Sequence, residues 1–177
     1  ENNIHEFATI HRATGENCET RIGSHNMLQA YTHVAHNSNF GDYIVVSSFS
    51  GVAGHVTVED HAVIGAMSGV HQFVKVGALA MVGGMSKIVQ DVCPFVIADG
   101  NPARVVGLNA VGIARNKIPA ESKSALKKAY RLIFRSGLKL NDAIQEMEQE
   151  LPSTPEIEHL LRFLRNCDRG LCRTRDR

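Results

Sequence analysis

The sequence lacks the features of a membrane-spanning or disulfide-linked protein. It has no run of 18 or more apolar residues, so no transmembrane helix is indicated. The first ten residues contain neither the basic nor the apolar segment of a signal peptide. The four cysteines, at positions 18, 93, 167 and 172, match no common zinc motif. Together these absences predict a cytoplasmic protein with reduced thiols.

Basic residues are scarce in the first part of the chain. Residues 1–100 contain 4 Lys/Arg against 9 Asp/Glu, whereas residues 101–177 contain 15 against 9. The two parts therefore carry net charges of −5 and +6, although the 177-residue chain carries only +1. The basic C-terminal part indicates an acidic partner, such as nucleic acid, phospholipid headgroups or an acidic protein, or else a solvated helical surface.

A six-residue repeat occupies the first half of the chain. Stepping by six from Ile22 meets only aliphatic residues or Phe: Ile22, Leu28, Val34, Phe40, Val46, Val52, Val58, Ile64, Val70, Val76, Val82 and Ile88. The same phase extends back to Ile10 and Ile4, with Glu16 interrupting it in a polar loop. Each hexad fits a short strand plus a turn, and three hexads close one coil of 18 residues. The pattern predicts a parallel β-helix of about four coils.

The repeat stops near Asp91, and a different pattern follows. Apolar spacing predicts a helix that ends at Ser136-Gly137, a second over 141–151 and a third that begins at Thr154-Pro155, with Thr as N-cap and Pro at N1. We therefore divide the chain into a β-helix (1–93), a link (94–117) and a helical domain (118–177).

Several histidines fall in the turns that follow one set of stacked strands. His36, His55 and His71 lie in successive coils, and His33 lies just before the first of these turns. Adjacent coils are separated by about 5 Å, so these side chains should share one edge of the prism. Two functional interpretations follow: a metal site, although no acidic ligand clusters with the histidines, or general base catalysis. The latter needs no Ser or Cys nucleophile, and the sequence contains no nucleophile-elbow motif.

The chain resembles the UDP-N-acetylglucosamine O-acyltransferases of lipid A biosynthesis. The matching segments include Ala30-Tyr31-Thr32-His33-Val34-Ala35-His36-Asn37, Gly69-Val70-His71-Gln72-Phe73 and Gly100-Asn101-Pro102-Ala103-Arg104. The resemblance implies a left-handed β-helix with C-terminal helices. It also implies transfer of an (R)-3-hydroxyacyl group from acyl carrier protein to the sugar 3-hydroxyl, in a homotrimer. No metal or bound cofactor is implied, because the phosphopantetheine arm of acyl carrier protein delivers the acyl group.

The resemblance also implies roles for individual residues. His36 corresponds to the general base, and the Gly54 N–H to the donor that stabilises the oxyanion. Gly84 corresponds to the position that limits acyl length. The substrate-contacting positions correspond to His33, His55, His71, Gln72, Asn109 and Arg115. The acidic acyl carrier protein becomes the expected partner of the basic part, with candidate contacts at Lys123, Lys127, Lys128, Arg131 and Arg135.

Three departures from the family pattern bear on function. Asn37 stands where members commonly have Asp, and Asn116 stands where a second basic residue usually follows Arg115. The N-terminal coils of the family, which carry an acidic and a lysine substrate contact, have no counterpart in this sequence. The chain is therefore expected to be a fragment or a shortened relative. Alternative functions are the later UDP-3-O-acylglucosamine N-acyltransferase of the pathway, a hexapeptide-repeat carbonic anhydrase and a truncated, non-catalytic hexapeptide-repeat protein.

Overall fold

The structure is a computed structural model that describes residues 1–174, and its first part is a solenoid of two-residue strands. The alternation of one inward aliphatic residue with a tight turn keeps each strand short. The strands are β1 Asn3–Ile4, β2 Thr9–Ile10, β3 Arg21–Ile22, β4 Met27–Leu28, β5 His33–Val34, β6 Asn39–Phe40, β7 Val45–Val46, β8 Gly51–Val52, β9 Thr57–Val58, β10 Val63–Ile64, β11 Gly69–Val70, β12 Lys75–Val76, β13 Met81–Val82 and β14 Lys87–Ile88.

These strands stack into the three walls of a left-handed parallel β-helix, as expected. Sheet A contains β1, β4, β7, β10 and β13; sheet B contains β2, β5, β8, β11 and β14; sheet C contains β3, β6, β9 and β12. Leu28 pairs with Val46 and Val34 with Val52, which confirms the coil of 18 residues. We name the three edges by the sheets they join: the A–B, B–C and C–A edges.

The core of the solenoid consists of the repeating aliphatic residues and small polar residues. From Leu28 to Ile88 the repeat positions are at most 3% exposed. Buried serines satisfy their polar groups along the solenoid axis: Ser50 Oγ donates to Gly65 O at 2.8 Å and accepts from Ser68 N at 3.2 Å. These serine hydroxyls are therefore hydrogen-bonded, whereas the buried Thr32 hydroxyl has no partner among residues 1–174.

The first coil contains one hexad that leaves the solenoid as a loop. Ile4 pairs with Leu28 and Ile10 with Val34, which are spacings of 24 rather than 18 residues. The extra hexad contains Glu16, whose charged side chain has no place in the apolar interior. The polar loop predicted at this position is confirmed, and it brings residues 11–20 beside the B–C edge.

The segment 94–117, expected as a link, is ordered secondary structure. It forms strands β15 (Val96–Gly100) and β16 (Ala103–Leu108), an antiparallel hairpin that extends sheet A beyond β13, and then helix α1 (Ala110–Arg115). Buried residues alternate along both strands, a period of two that the six-residue repeat does not contain. The hairpin lengthens the wall of the solenoid, so the segment expected as a link continues sheet A and then leads into the helices.

Three longer helices follow, close to the predicted bounds. They are α2 (Ala120–Arg135), α3 (Leu140–Glu150) and α4 (Pro155–Arg165). Gly137, with φ of 79°, follows the end of α2, and the Thr154 side chain caps α4 as predicted. One continuous cluster of buried apolar residues includes both solenoid and helices, so the helices cover the last coil.

Candidate functional site

The histidines of the B–C edge are staggered across its turns. The residue 18 positions after His36 is Gly54, not His55, and the residue 18 positions before His71 is Ala53. The His36 and His55 rings nevertheless meet edge to face, with centroids 5.3 Å apart. The predicted clustering of His36 and His55 is therefore present, but each of the three histidines occupies a different position in its turn.

The His36 ring is oriented by the side chain of Asn37. Nδ1 of His36 lies 2.7 Å from Oδ1 of Asn37. The orientation of the Asn37 amide follows from Thr14, whose backbone N–H donates to Oδ1 and whose carbonyl accepts from Nδ2, both at 3.1 Å. Since Oδ1 can only accept, Nδ1 of His36 carries the proton. Nε2 is then left with its lone pair, as a general base requires.

The looped-out hexad contributes directly to this arrangement. Thr14 Oγ lies 3.3 Å from His36 Nδ1 and 3.1 Å from Asn37 Oδ1, and Thr20 Oγ accepts from the Asn37 N–H at 2.9 Å. Both threonines belong to the loop over residues 11–20. Asn37 therefore connects His36 to this loop through Thr14. The sequence did not predict this contact of Thr14.

Gly54 is required beside His36 for steric reasons. A Cβ at residue 54 would lie 2.8 Å from Cε1 and 2.9 Å from Nε2 of the His36 ring, closer than van der Waals contact allows. The same turn position elsewhere has its N–H bound by a side-chain oxygen, as for Ser24, Ser48 and Ala78. Among the described residues no acceptor binds the buried Gly54 N–H. This donor is therefore free to bind a ligand oxygen beside Nε2.

His33 lies on the outer surface of sheet B, next to the same edge. Its Nδ1 lies 2.8 Å from Thr9 Oγ, and its ring packs edge to face on His11 with centroids 4.5 Å apart. Burial, followed by the proximity of His11, lowers the pKa of His33 from its ordinary value. His33 therefore stays neutral to lower pH than a free imidazole.

The third coil brings Gln72 and His71 to the upper end of the edge. Phe73, 18 positions after His55, stacks on the His55 ring with centroids 4.7 Å apart. The position directly above His55 is therefore occupied by Phe73 and not by His71. His71 Nδ1 lies 3.2 Å from Gln72 O and 3.3 Å from Nη2 of Arg169, in the C-terminal tail. The approach of Arg169 joins residues 98 positions apart, and no local pattern announces it.

The remaining predicted site residues lie on the other two edges. Gly84 belongs to the A–B edge, in the turn after β13. Asn109 attaches α1 to the C–A edge: its Nδ2 donates to Leu79 O at 2.8 Å, and its Oδ1 caps the helix through Gly112 N at 2.9 Å. Arg115 is exposed at the end of α1. Within one chain, His33, Gly54 and His55 therefore lie near His36. Gly84, Asn109 and Arg115 do not.

Known proteins share both the sequence and the fold. A family model described as UDP-N-acetylglucosamine O-acyltransferase, domain 2, matches residues 91–172. An acyl-[acyl-carrier-protein]–UDP-N-acetylglucosamine O-acyltransferase of Thermodesulfovibrio yellowstonii is 46% identical over 174 residues, which are 97% of this chain and 67% of that protein. The chain belongs to the UDP-N-acetylglucosamine O-acyltransferase family. The predicted resemblance is thereby confirmed.

Further relatives agree with this assignment. The enzyme of the same description from Fusobacterium nucleatum is 57% identical over 164 residues, which are 93% of this chain and 64% of that protein. The crystal structure of LpxA from Acinetobacter baumannii superimposes with a TM-score of 0.91 at 41% identity, over 97% of this chain and 69% of that one. The chain thus spans roughly two thirds of the length of these UDP-N-acetylglucosamine O-acyltransferases.

Within residues 1–174, no group of three or more His, Cys, Asp or Glu side chains is arranged to hold a metal ion. None of the helices in the same range is both long enough and apolar enough to cross a bilayer.

Proposed function

We propose that this chain transfers an (R)-3-hydroxyacyl group from acyl carrier protein to the 3-hydroxyl of UDP-N-acetylglucosamine, the first step of lipid A biosynthesis. Membership of the family supports the reaction class. The observation that carries the proposal is the pairing of His36 with Gly54: the unprotonated Nε2 lies beside residue 54, whose backbone N–H has no acceptor within residues 1–174. A base and an oxyanion donor side by side are the parts that acyl transfer to a hydroxyl needs.

The steps of the reaction follow from these two groups. Nε2 of His36 takes the proton of the sugar 3-hydroxyl while the oxygen attacks the thioester carbonyl carbon. The Gly54 N–H donates to the oxyanion that forms, an interaction worth about 3–4 kcal/mol in comparable sites. Collapse of the intermediate breaks the carbon–sulfur bond, and the proton passes from Nε2 to the departing sulfur. The phosphopantetheine thiol of acyl carrier protein leaves, and no further cofactor takes part.

Removal of the base tests this proposal. His36→Ala should lower turnover by about 10²- to 10⁴-fold, the usual contribution of a general base. His25→Ala removes an exposed histidine from the C–A edge and is the matched control, with turnover near that of the wild type. Both proteins are assayed with 3-hydroxyacyl carrier protein and UDP-N-acetylglucosamine. Equal activity of the His36→Ala variant and the wild type would refute the role of His36.

A choice of acceptor separates the two acyltransferases of the pathway. The proposal requires transfer to UDP-N-acetylglucosamine and little transfer to UDP-3-O-acylglucosamine, whose nucleophile is an amine. The opposite preference would indicate the N-acyltransferase. Absence of transfer to either acceptor by the wild-type chain would favour the non-catalytic alternative.

We also propose that the active assembly is a homotrimer in which neighbouring solenoids complete the site. The base lies on the B–C edge, whereas Gly84 lies on the A–B edge and Asn109 contacts the C–A edge, so one chain presents them on different sides. The A–B edge is also unusually apolar for an exposed surface. Its turns carry an apolar ladder, 49–71% exposed, formed by Phe7, Tyr31, Phe49, Met67 and Met85. A large exposed apolar patch of this kind indicates a protein interface.

The acidic carrier protein is proposed to bind along α2. Lys127, Arg131 and Arg135 follow one another at intervals of four residues and are all exposed. Charge reversal at Lys127 and Arg131 should raise the KM for acyl carrier protein, most strongly at low salt, since exposed charges are screened as ionic strength rises. Arg21→Glu reverses a charge on sheet C and is the control. An unchanged KM in the double variant would exclude this surface.

A further inference from the structure

The C-terminal tail, residues 166–174, returns from α4 to the last coil of the solenoid. Its anchor is Asp91, which is fully buried. The Asp91 N–H donates to Gly170 O at 2.9 Å, and the Asp91 carbonyl accepts from Cys172 N at 2.8 Å. The Asp91 carboxylate accepts from Arg169 N at 3.1 Å. These backbone contacts fix the position from which the Arg169 side chain extends.

The Arg169 side chain reaches the upper end of the B–C edge. Its Nη2 lies 3.3 Å from Nδ1 of His71. A guanidinium has only N–H donors and does not lose its proton in proteins, so this contact is a hydrogen bond only if Nδ1 of His71 carries a lone pair. The Gln72 carbonyl, 3.2 Å from the same nitrogen, would require the opposite, since it can only accept. The bond from a charged donor is the stronger of the two.

We propose that Arg169 is a positioning residue that holds His71 in the tautomer with its proton on Nε2. The inference rests on the proposed function, because it gives His71 a role at that same site. His71 then presents an N–H donor to a ligand oxygen, whereas His36, whose proton lies on Nδ1, presents a lone pair. Two histidines of one edge are thereby held in opposite tautomers, one as a donor and one as a base. If the His71 proton moved from Nε2 to Nδ1, Nε2 would become an acceptor and could no longer donate to a ligand oxygen.

Nitrogen-15 NMR of histidine-labelled protein tests this inference directly. At pH 8, above the ordinary imidazole pKa of about 6.5, the two ring nitrogens report which one is protonated. In the wild type, Nδ1 of His71 should have the chemical shift of an unprotonated nitrogen, and in His36 the assignment should be reversed. Arg169→Met keeps the aliphatic stem but removes every donor, so the His71 proton should move toward Nδ1 and the Gln72 carbonyl.

Two controls separate this effect from loss of the tail. Arg169→Lys retains a charged donor and should restore the wild-type His71 pattern. Arg162→Met removes the guanidinium beside His159, 3.4 Å from its Nδ1, and should leave His71 unchanged. In uniformly nitrogen-15-labelled samples of each variant, the Asp91 amide shift reports whether the tail remains docked. Identical His71 nitrogen shifts in the wild type and in Arg169→Met, with the tail docked, would overturn the inference.

Kinetics provide the second measurement. Arg169→Met should raise the KM for UDP-N-acetylglucosamine several-fold with a smaller change in kcat, and Arg169→Lys should recover most of the loss. If the wild-type chain shows no turnover, the proposed function fails, yet the nitrogen shifts still decide the tautomer. If turnover is normal and the His71 shifts do not respond to Arg169→Met, the inference alone fails.

Discussion

Asn37 illustrates how much of the candidate site depends on single side-chain atoms. Its Oδ1 accepts from His36 and from Thr14, while its Nδ2 donates to the Thr14 carbonyl. An aspartate at this position would keep the acceptor for His36 but would have no donor for the loop. The amide therefore combines two tasks, orientation of the base and attachment of the loop over residues 11–20.

Asn37→Asp should separate these two tasks. The carboxylate still accepts from His36, so turnover should fall less than in Asn37→Ala. The loop loses one hydrogen bond, worth about 1 kcal/mol, so its open state should become about fivefold more populated. Trypsin cleavage after Arg12 measures this opening. Asn39→Asp, the same change on an exposed strand, should cleave like the wild type, and so would Asn37→Asp if the amide played no part in holding the loop.

His33 offers a test of the electrostatics of the edge. Burial is the larger cause of its lowered pKa, and His11 is the smaller one, so His11→Gln should raise the pKa of His33 only part of the way to its ordinary value. Native His33 binds its proton at lower pH than the unfolded chain does. The stability that it contributes is therefore present above about pH 6.5 and is lost as the pH falls through the folded-state pKa. NMR titration of the two proteins measures the shift, and a complete return in His11→Gln would show that burial is not the main cause.

At the scale of elements, the tail closes the exposed end of the solenoid. A parallel bridge joins Asp91 to Leu171, and the Asp91 carboxylate also accepts from Lys75 N at 2.8 Å. An end coil otherwise presents unpaired backbone groups to which another chain could bind. Burial raises the pKa of Asp91, which means that this carboxylate is costly to ionise and depends on its donors. The tail is therefore part of the folded solenoid rather than an appendage.

Asp91→Ala should lower the free energy of unfolding by about 1–3 kcal/mol, because it leaves buried N–H groups without acceptors. Asp168→Ala is the matched control. Asp168 is 75% exposed and pairs with Lys75 at 2.5 Å, so its removal should cost at most about 1 kcal/mol. Urea denaturation measures both variants. Equal losses in the two would contradict a structural role for the buried carboxylate.

At the scale of the whole molecule, the apolar ladder of the A–B edge is the clearest sign of an assembly. Tyr31 and Phe49 stack with centroids 4.9 Å apart and remain 49% and 61% exposed. In the middle of sheet B beside them, a Cβ at Gly51 or Gly69 would meet nothing within 4 Å. An exposed apolar surface of this kind is consistent with the proposed trimer.

Phe49→Glu should dissociate this assembly, because it places a charge in the interface without a partner. Light scattering coupled to size-exclusion chromatography should show a trimer for the wild type and smaller species for the variant. Asn39→Glu introduces the same charge on sheet C and should leave the mass unchanged. A wild-type monomer at micromolar concentration would contradict the trimer, and a variant of unaltered mass would contradict the ladder as its interface.

The sequence by itself determined the solenoid, because a six-residue period places an inward side chain once per strand and the pattern is strictly local. It also predicted that His36 and His55 would meet, since a residue and the one 18 positions later occupy neighbouring coils. It did not reveal the β-hairpin over 96–108, because the period of two in its strands is not part of the six-residue repeat. Only the tertiary structure decided that Thr14 and Arg169 reach the histidines. Those relations depend on a looped-out hexad and a returning tail, and the paths of such segments follow from long-range packing rather than from periodicity.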